Sequence, residues 1–353
     1  MKVYYVAAGY DSCYYVRCLL PLRANGWNGD IYSLHTPRVP WEKAFHQAME
    51  ADIIVMQRPM WPDRLQAVKY FKQMNKVVVF DNDDTYTPKA GVPELMTKFQ
   101  ETAVDKKLDY FDTILKEAAS ISDLVCVTTP TLAKEYEEVN KNVVVLPNMV
   151  DPFDWPEEPQ RNEDKKIRVG LVGSVINADY TIIENLLKKI SEDDRYQLVV
   201  MGLPPDNEKY KWSRNNVFKK PIKFWNSLDV EWHPFVAIQD YINTVDDLKL
   251  DIMLIPRIDN HFNRCKSDVK FLESSMLEIP VIASRFEDGE YNKHDGNLLL
   301  AWDEDEWFEH LEKLTNKRSR RMLGRKARKY VTEKYDINKT AHLWEKEFKK
   351  LIK

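Results

Sequence analysis

Residues 264–284, RCKSDVKFLESSMLEIPVIAS, combine side chains suited to holding an anion. Val269, Leu272, Met276 and Ile279 recur at helical spacing, and Pro280 introduces the strand-like run VIAS. The pattern predicts a helix of about three turns followed by a buried strand. Arg264, Lys266 and Lys270 fall at the start of that helix. The backbone dipole already presents roughly half a positive charge there, and each added cation costs about 0.3–1 kcal/mol. A phosphate-bearing ligand held by Arg264, Lys266 and Lys270, together with free backbone N–H groups, resolves the conflict. Lys266, Lys270 and Glu273 share one face, with Glu273 a turn deeper and placed to accept hydroxyl hydrogen bonds from a sugar ring. The plainer reading of the same spacing is a solvated face with a Lys270–Glu273 pair worth a few tenths of a kcal/mol.

Four other stretches carry candidate chemistry. In RVGLVGSVINADY a strand runs into Gly173-Ser174 and then a helix, a second place where backbone can approach phosphate or sugar. In VVVFDNDDTYTP, Asp81, Asp83 and Asp84 follow a buried strand; they suit orienting an acceptor hydroxyl, acting as a base or ligating a metal, or simply capping a turn. Near the start, Gly9 permits a tight turn, and Tyr14, Tyr15 and Arg17 begin the next helix beside the expected cleft. Finally, YKWSRNNVFKKPIKFW interleaves Lys219, Lys220, Lys223 and two further cations with five aromatics, the ingredients of a single-strand or flipped-base site, or of a packed loop. The basic run 317–329 reads as an exposed amphipathic helix face. No histidine cluster completes a transition-metal site, and no GxGxxG follows either first strand, which argues against a nicotinamide dehydrogenase.

These residues need a scaffold that brings them together. KVYYVAA, DIYSLH, DIIVMQ, KVVVF, DLVCVT and NVVVLP read as strands alternating with helical patterns. Residues 152–166 are proline- and charge-rich without periodicity, so they read as a linker. The alternation then restarts with KIRVGLVGS, YQLVVMG, VEWHPF, LDIMLIP, PVIAS and NLLLAW. The fold class expected is α/β, with two doubly wound Rossmann-like domains (1–151 and 167–330) facing across a cleft. Residues 331–353 form the end of a charged helical tail.

With 353 residues, 44% hydrophobic and 31% charged, the composition is that of a soluble globular chain. No apolar run reaches the roughly 18 residues of a membrane span. The start is a poor signal peptide, and four cysteines without metal-ligand spacing suggest buried thiols in a reducing cytoplasm. A net charge of −4 does not advertise a nucleic-acid binder, although local basic patches matter more.

The 264–284 stretch, with Glu273 followed seven residues later by Pro280-Val281, resembles the donor-site helix of GT-B glycosyltransferases in the large retaining, nucleotide-sugar-dependent group. VGLVGS, LPNMVDPFDW, VVVFDNDD, the Arg17–Pro21 spacing and the C-terminal helices extend the resemblance over nearly the whole chain. It implies that Glu273 holds ribose hydroxyls, that Arg264 and Lys266 hold the diphosphate, and that His233–Val236, including Phe235, line the base. It also implies sugar transfer with retention, without a bound metal, from a UDP-sugar first among candidates, and helices that cross back onto the first domain. Cys265 stands where the family often has a glutamate, and Asn263–Ser267 fits an Asn-x2-Lys-Ser variant. Glu278 stands where a glycine is usual.

The leading expectation is a glycosyltransferase acting on a glycan or small molecule, with Asp83, Asp84 and Arg17 at the reacting centre. Gly173, Ser174, Ser267 and Lys270 join the donor side, and Tyr14 and Tyr15 the acceptor side. A phage-type enzyme modifying hydroxymethylated DNA through Lys219, Lys220 and Lys223 is the alternative acceptor reading. A non-catalytic nucleotide-sugar binder is a third.

Overall fold

The computed structural model describes the chain except residues 28, 34–39, 88–100, 174–177, 203–218 and 353, and describes 33, 41, 101–107 and 219 by backbone only. Two parallel six-stranded sheets form its frame. The first comprises β1 (Val3–Ala7), β2 (Ile31–Ser33), β3 (Ile53–Gln57), β4 (Val77–Asn82), β5 (Leu124–Val127) and β6 (Val143–Val145), in the order β2-β1-β3-β4-β5-β6. The second comprises β7 (Ile167–Val172), β8 (Tyr196–Met201), β9 (Val230–His233), β10 (Ile252–Ile255), β11 (Val281–Ser284) and β12 (Leu299–Ala301), in the order β12-β11-β10-β7-β8-β9. Central strands such as β1, β3 and β10 are buried at every position, which is why they read as continuous apolar runs.

Both orders reverse direction once, beside the first strand of the sheet: at β1/β3 and at β7/β10. Chain crossovers diverge at such points and leave a crevice at the carboxyl ends of the strands. The second sheet therefore offers a crevice where β7 delivers Gly173 and β10 delivers Pro256 and Arg257.

The helix expected from 264 is broken in two. Asn260 caps a short helix, His261–Cys265, by accepting from Asn263 N at 2.8 Å. Lys266 is then extended (φ −70°, ψ 138°), and a second helix runs Val269–Met276. The break removes most of the electrostatic conflict. Arg264 lies in the last turn of the short helix, the end that favours a cation, and only Lys270 stands in the first turn of the second. Phe262 and Cys265 from the short helix are buried in the core of the first sheet, so this element belongs by packing to both halves.

The C-terminal helix Ile337–Lys349 packs on the first sheet: Trp344 and Phe348 are fully buried, and Phe348 stacks on Trp27 at 5.0 Å. The chain returns there through a bridge in which Val150 N donates to Tyr335 O (2.8 Å) and Ile337 N donates to Val150 O (2.9 Å). Glu278 adopts φ +54°, a conformation that glycine favours. Its carboxylate is tied to Arg161 at 2.5 Å.

Candidate functional site

A cavity of about 550 Å³ lies between the two sheets, at the carboxyl ends of their strands. Its walls have opposite charge. The first half contributes Asp11, Asp83 and Asp84, and the second contributes Arg257, Lys266 and Lys270, one carboxylate, Asp179, and Gly173.

On the basic wall, each cation has a different status. Lys266 Nζ forms a close ion pair with Asp84 Oδ1, across the cavity. Lys270 Nζ donates to Tyr241 OH at 2.8 Å and pairs with Glu273 Oε2 at 3.0 Å. Burial opposes its charge, but Glu273 and Tyr241 outweigh burial and hold the ammonium above its ordinary pKa. Arg257 has no carboxylate partner among the described residues. Its guanidinium lies over the Tyr291 ring at 4.9 Å, with only long contacts (3.4 and 3.5 Å) to Ser267 O. Gly173 has φ +133°, and a Cβ placed on it would meet nothing within 4 Å among the described residues. Asp179 Oδ1 ties the segment after Arg257 by accepting from Ile258 N (2.9 Å) and Asn263 Nδ2 (2.8 Å).

On the acidic wall, Asn82 Nδ2 donates to Asp84 O (2.6 Å) and to Tyr136 OH (2.6 Å), fixing the turn after β4. Asp83 is bound by Arg58 (Nη2 to Oδ1 2.6 Å), whose own backbone is left-handed at φ +48°. Burial raises the Asp83 pKa, but Arg58 and Cys13 outweigh burial and lower it to about 2. A carboxylate so firmly ionised is a poor proton acceptor.

Several expected residues lie elsewhere. Arg264 does not line the cavity; Asp259 takes both of its forks, at 2.6 and 2.9 Å. Arg17 is fully buried and bonds Asp81 in two places (3.1 and 2.7 Å), Leu146 O (2.6 Å) and Asn148 Oδ1 (3.3 Å), with its guanidinium 4.5 Å from the Trp344 ring. It cannot touch a substrate in this arrangement. A widened π turn over Tyr15–Leu19 places it there. Tyr15 donates to Asp154 at 2.5 Å, and Tyr14 packs edge-on to Tyr10 at 4.7 Å; neither lines the cavity.

Glu273 is buried and stands behind Lys270 rather than on the cavity wall. His233 is bonded to Glu231 (2.6 Å), and Phe235 is half exposed; both are outside the cavity lining. Ser267 does line it and accepts from Asn148 Nδ2 at 3.0 Å. Ser174 lies outside the described residues, as does 210–218.

Lys220 and Lys223 are exposed on the helix Lys219–Trp225, whereas Phe224 and Trp225 are buried, with Phe224 stacked on Tyr180 at 4.6 Å. Those two rings are therefore core, not base-stacking platforms. Sequence reasoning missed Arg257, although its place immediately after LDIMLIP at the switch point was a usable signal. It also missed Asn148, which links Arg17 to Ser267. Among the described residues one His/Cys/carboxylate group converges, Glu135 with His261 and Cys265, and it lies outside the cavity lining.

No protein-family model matches the sequence, and no curated protein matches it. Solved structures do. A sucrose-phosphate synthase from Thermosynechococcus elongatus superposes with a TM-score of 0.67 at 15% identity, over 99% of each chain. The fold is GT-B. The catalytic domain of starch synthase IV from Arabidopsis thaliana, bound to ADP and acarbose, gives 0.66 at 12% identity over 99% of each chain. Anabaena HepE in complex with UDP and glucose gives 0.65 at 10% identity, again over 99% of each chain. No described helix of this GT-B chain is long and apolar enough to cross a membrane.

Proposed function

We propose that this protein is a glycosyltransferase that moves a sugar from a nucleoside-diphosphate sugar, a UDP-sugar first, to an acceptor hydroxyl with retention. The observation that carries the reading is Arg257: a guanidinium without a carboxylate partner among the described residues, at the sheet's switch point, beside Gly173 and two lysines. A diphosphate there gains charge-assisted bonds from Arg257 and Lys266 and a close backbone approach at Gly173. Glu273, buried behind Lys270, holds the Lys270 ammonium in place at the cavity wall, with Tyr241 bonded to both. As the C1–O bond to the diphosphate breaks, the same cations stabilise the leaving charge. When the diphosphate recruits Lys266, Asp84 is released from its ion pair and can orient the acceptor hydroxyl, whose oxygen forms the new bond to C1 while its proton passes to the departing diphosphate oxygen. Asp83, held ionised in its pair with Arg58, does not take the hydroxyl proton.

In this reading residues 1–151 form the acceptor-side domain and 167–330 the donor-side domain, joined by 152–166, while 331–353 return to the first. A glycan or small molecule is the acceptor that the cleft favours. The solved relatives in complex with acarbose and with UDP and glucose have sugars bound on this fold, and the buried Phe224 and Trp225 remove part of the case for DNA.

The test is nucleoside-diphosphate release from a mixture of nucleotide sugars, with glycan acceptors and with hydroxymethylated DNA, in the wild-type chain and in Lys266→Ala. Acceptor-dependent release that is lost in a folded Lys266→Ala protein is expected. Release that depends on DNA alone would replace the acceptor assignment. Nucleotide-sugar binding with no release under any condition would reduce the protein to a binder.

A further inference from the structure

Glu135, His261 and Cys265 come together from the two halves of the molecule. Glu135 is on the helix Pro130–Glu137, which packs against the first sheet; His261 and Cys265 are one turn apart on the short helix that precedes Lys266. Cys265 Sγ is 3.6 Å from both Glu135 Oε1 and His261 Nε2, and those two atoms are themselves in hydrogen-bond contact. All three ligand atoms lie within 4.8 Å of one another. We propose that this trio is a zinc site that staples the two halves together across the cleft.

The geometry is already close to a metal's demands. Zinc binds nitrogen and oxygen at about 2.0–2.1 Å and sulfur at about 2.3 Å, which at tetrahedral angles separates sulfur from its neighbouring ligands by about 3.6 Å. Both sulfur distances here meet that value. Only the glutamate–histidine pair must open, to about 3.3 Å. Glu135 is aimed by its other oxygen, which accepts from Thr85 Oγ1 (2.9 Å) and Thr87 Oγ1 (3.2 Å), the outer support typical of a ligating carboxylate. Cys265 is fixed by its own backbone, since Thr129 Oγ1 donates to Cys265 O at 3.1 Å while capping the Glu135 helix.

Binding releases the thiol proton, and one thiolate with one carboxylate then neutralises Zn²⁺, leaving imidazole uncharged. His261 is exposed, so water completes the fourth position from the solvent side. Sulfur with nitrogen selects zinc over magnesium or calcium. Because Lys266 follows Cys265 directly, the staple holds the Lys266 segment against the first half and is separate from the sugar-transfer reading.

The test uses the full chain, reduced, stripped with chelator, and titrated with cobalt and then zinc. One cobalt per chain is expected, with a thiolate charge-transfer band in the near ultraviolet that zinc abolishes, and zinc is expected to raise the melting temperature. Cys265→Ser is expected to lose the charge-transfer band. His261→Gln is expected to weaken zinc by roughly a hundredfold or more, and Thr85→Ala, an outer support, by about tenfold. Circular dichroism checks each fold, and His261, being exposed, keeps the test decisive even if Cys265→Ser is unstable. Absence of a charge-transfer band in the wild-type chain overturns the proposal, as does unchanged zinc affinity in folded His261→Gln.

Discussion

Replacing Arg257 or Arg264 by glutamine separates two positions for the diphosphate, because the two arginines are chemically alike and differently occupied. Arg264 gives both of its forks to Asp259, whereas Arg257 faces the cavity with only two long contacts to Ser267 O. A hydrogen bond to a charged group is worth about 1.5–3 kcal/mol. At 1.4 kcal/mol per tenfold, Arg257→Gln is then expected to weaken UDP binding by about 10- to 150-fold. Arg264→Gln removes a partly exposed surface pair and is expected to change UDP binding by less than about twofold. The assay is isothermal titration with UDP, alongside melting curves. Loss of the Arg257 stack on Tyr291 costs the fold about 0.5–1 kcal/mol, too little to unfold it. An Arg264→Gln loss equal to or larger than that of Arg257→Gln would refute the reasoning. It would return the phosphates to Arg264, one of the three cations to which the sequence alone assigned them.

Arg17→Met is expected to destabilise the chain by about 3–5 kcal/mol, because it leaves Asp81 buried and unpaired. Adding Asp81→Leu is expected to recover most of that melting temperature; a stable Arg17→Met protein without activity would return Arg17 to the chemistry. For Asp83 the folded pKa, about 2, lies below the ordinary 3.8, so its stabilising contribution is complete above about pH 4 and is lost as pH falls through 2. The shift corresponds to roughly 2 kcal/mol. Acid titration of Asp83→Asn should therefore show a flatter stability slope between pH 4 and 2 than wild type, and identical slopes would remove the Arg58–Asp83 assignment. Gly173→Ala is expected to cost about 1–3 kcal/mol through backbone strain, since its methyl group meets nothing among the described residues, and to weaken UDP binding measurably. Unaltered UDP affinity in the folded variant would take Gly173 out of the donor site.

The sheets were legible because burial on both faces writes the same message into every strand: VYYVA, IIVMQ and IMLI are apolar at almost every position and could sit nowhere else. The short helix was not legible. HFNRC has no apolar stripe of its own, and its two buried apolar side chains, Phe262 and Cys265, are read correctly only once the first half is known to lie against them. Arg17 shows the opposite failure. A cation near an aspartate cluster and an expected cleft has the signature of catalysis, but its burial beneath Trp344 depends on a helix more than 300 residues later.

The cations at 264–270 were legible as a charge problem, and the structure resolves it in three different ways. Arg264 moves to a helix end that welcomes it, Lys270 is held by Glu273, and Lys266 reaches across to Asp84. The third solution differs in kind from the others, because it makes the two halves compete with a ligand for the same ammonium. A diphosphate that takes Lys266 weakens one tie across the cleft, while Asn148–Ser267 and Thr129–Cys265 remain. In the proposed reading, donor binding and cleft geometry are thereby coupled through one side chain. The remaining ties set how far the halves can separate when Lys266 changes partner.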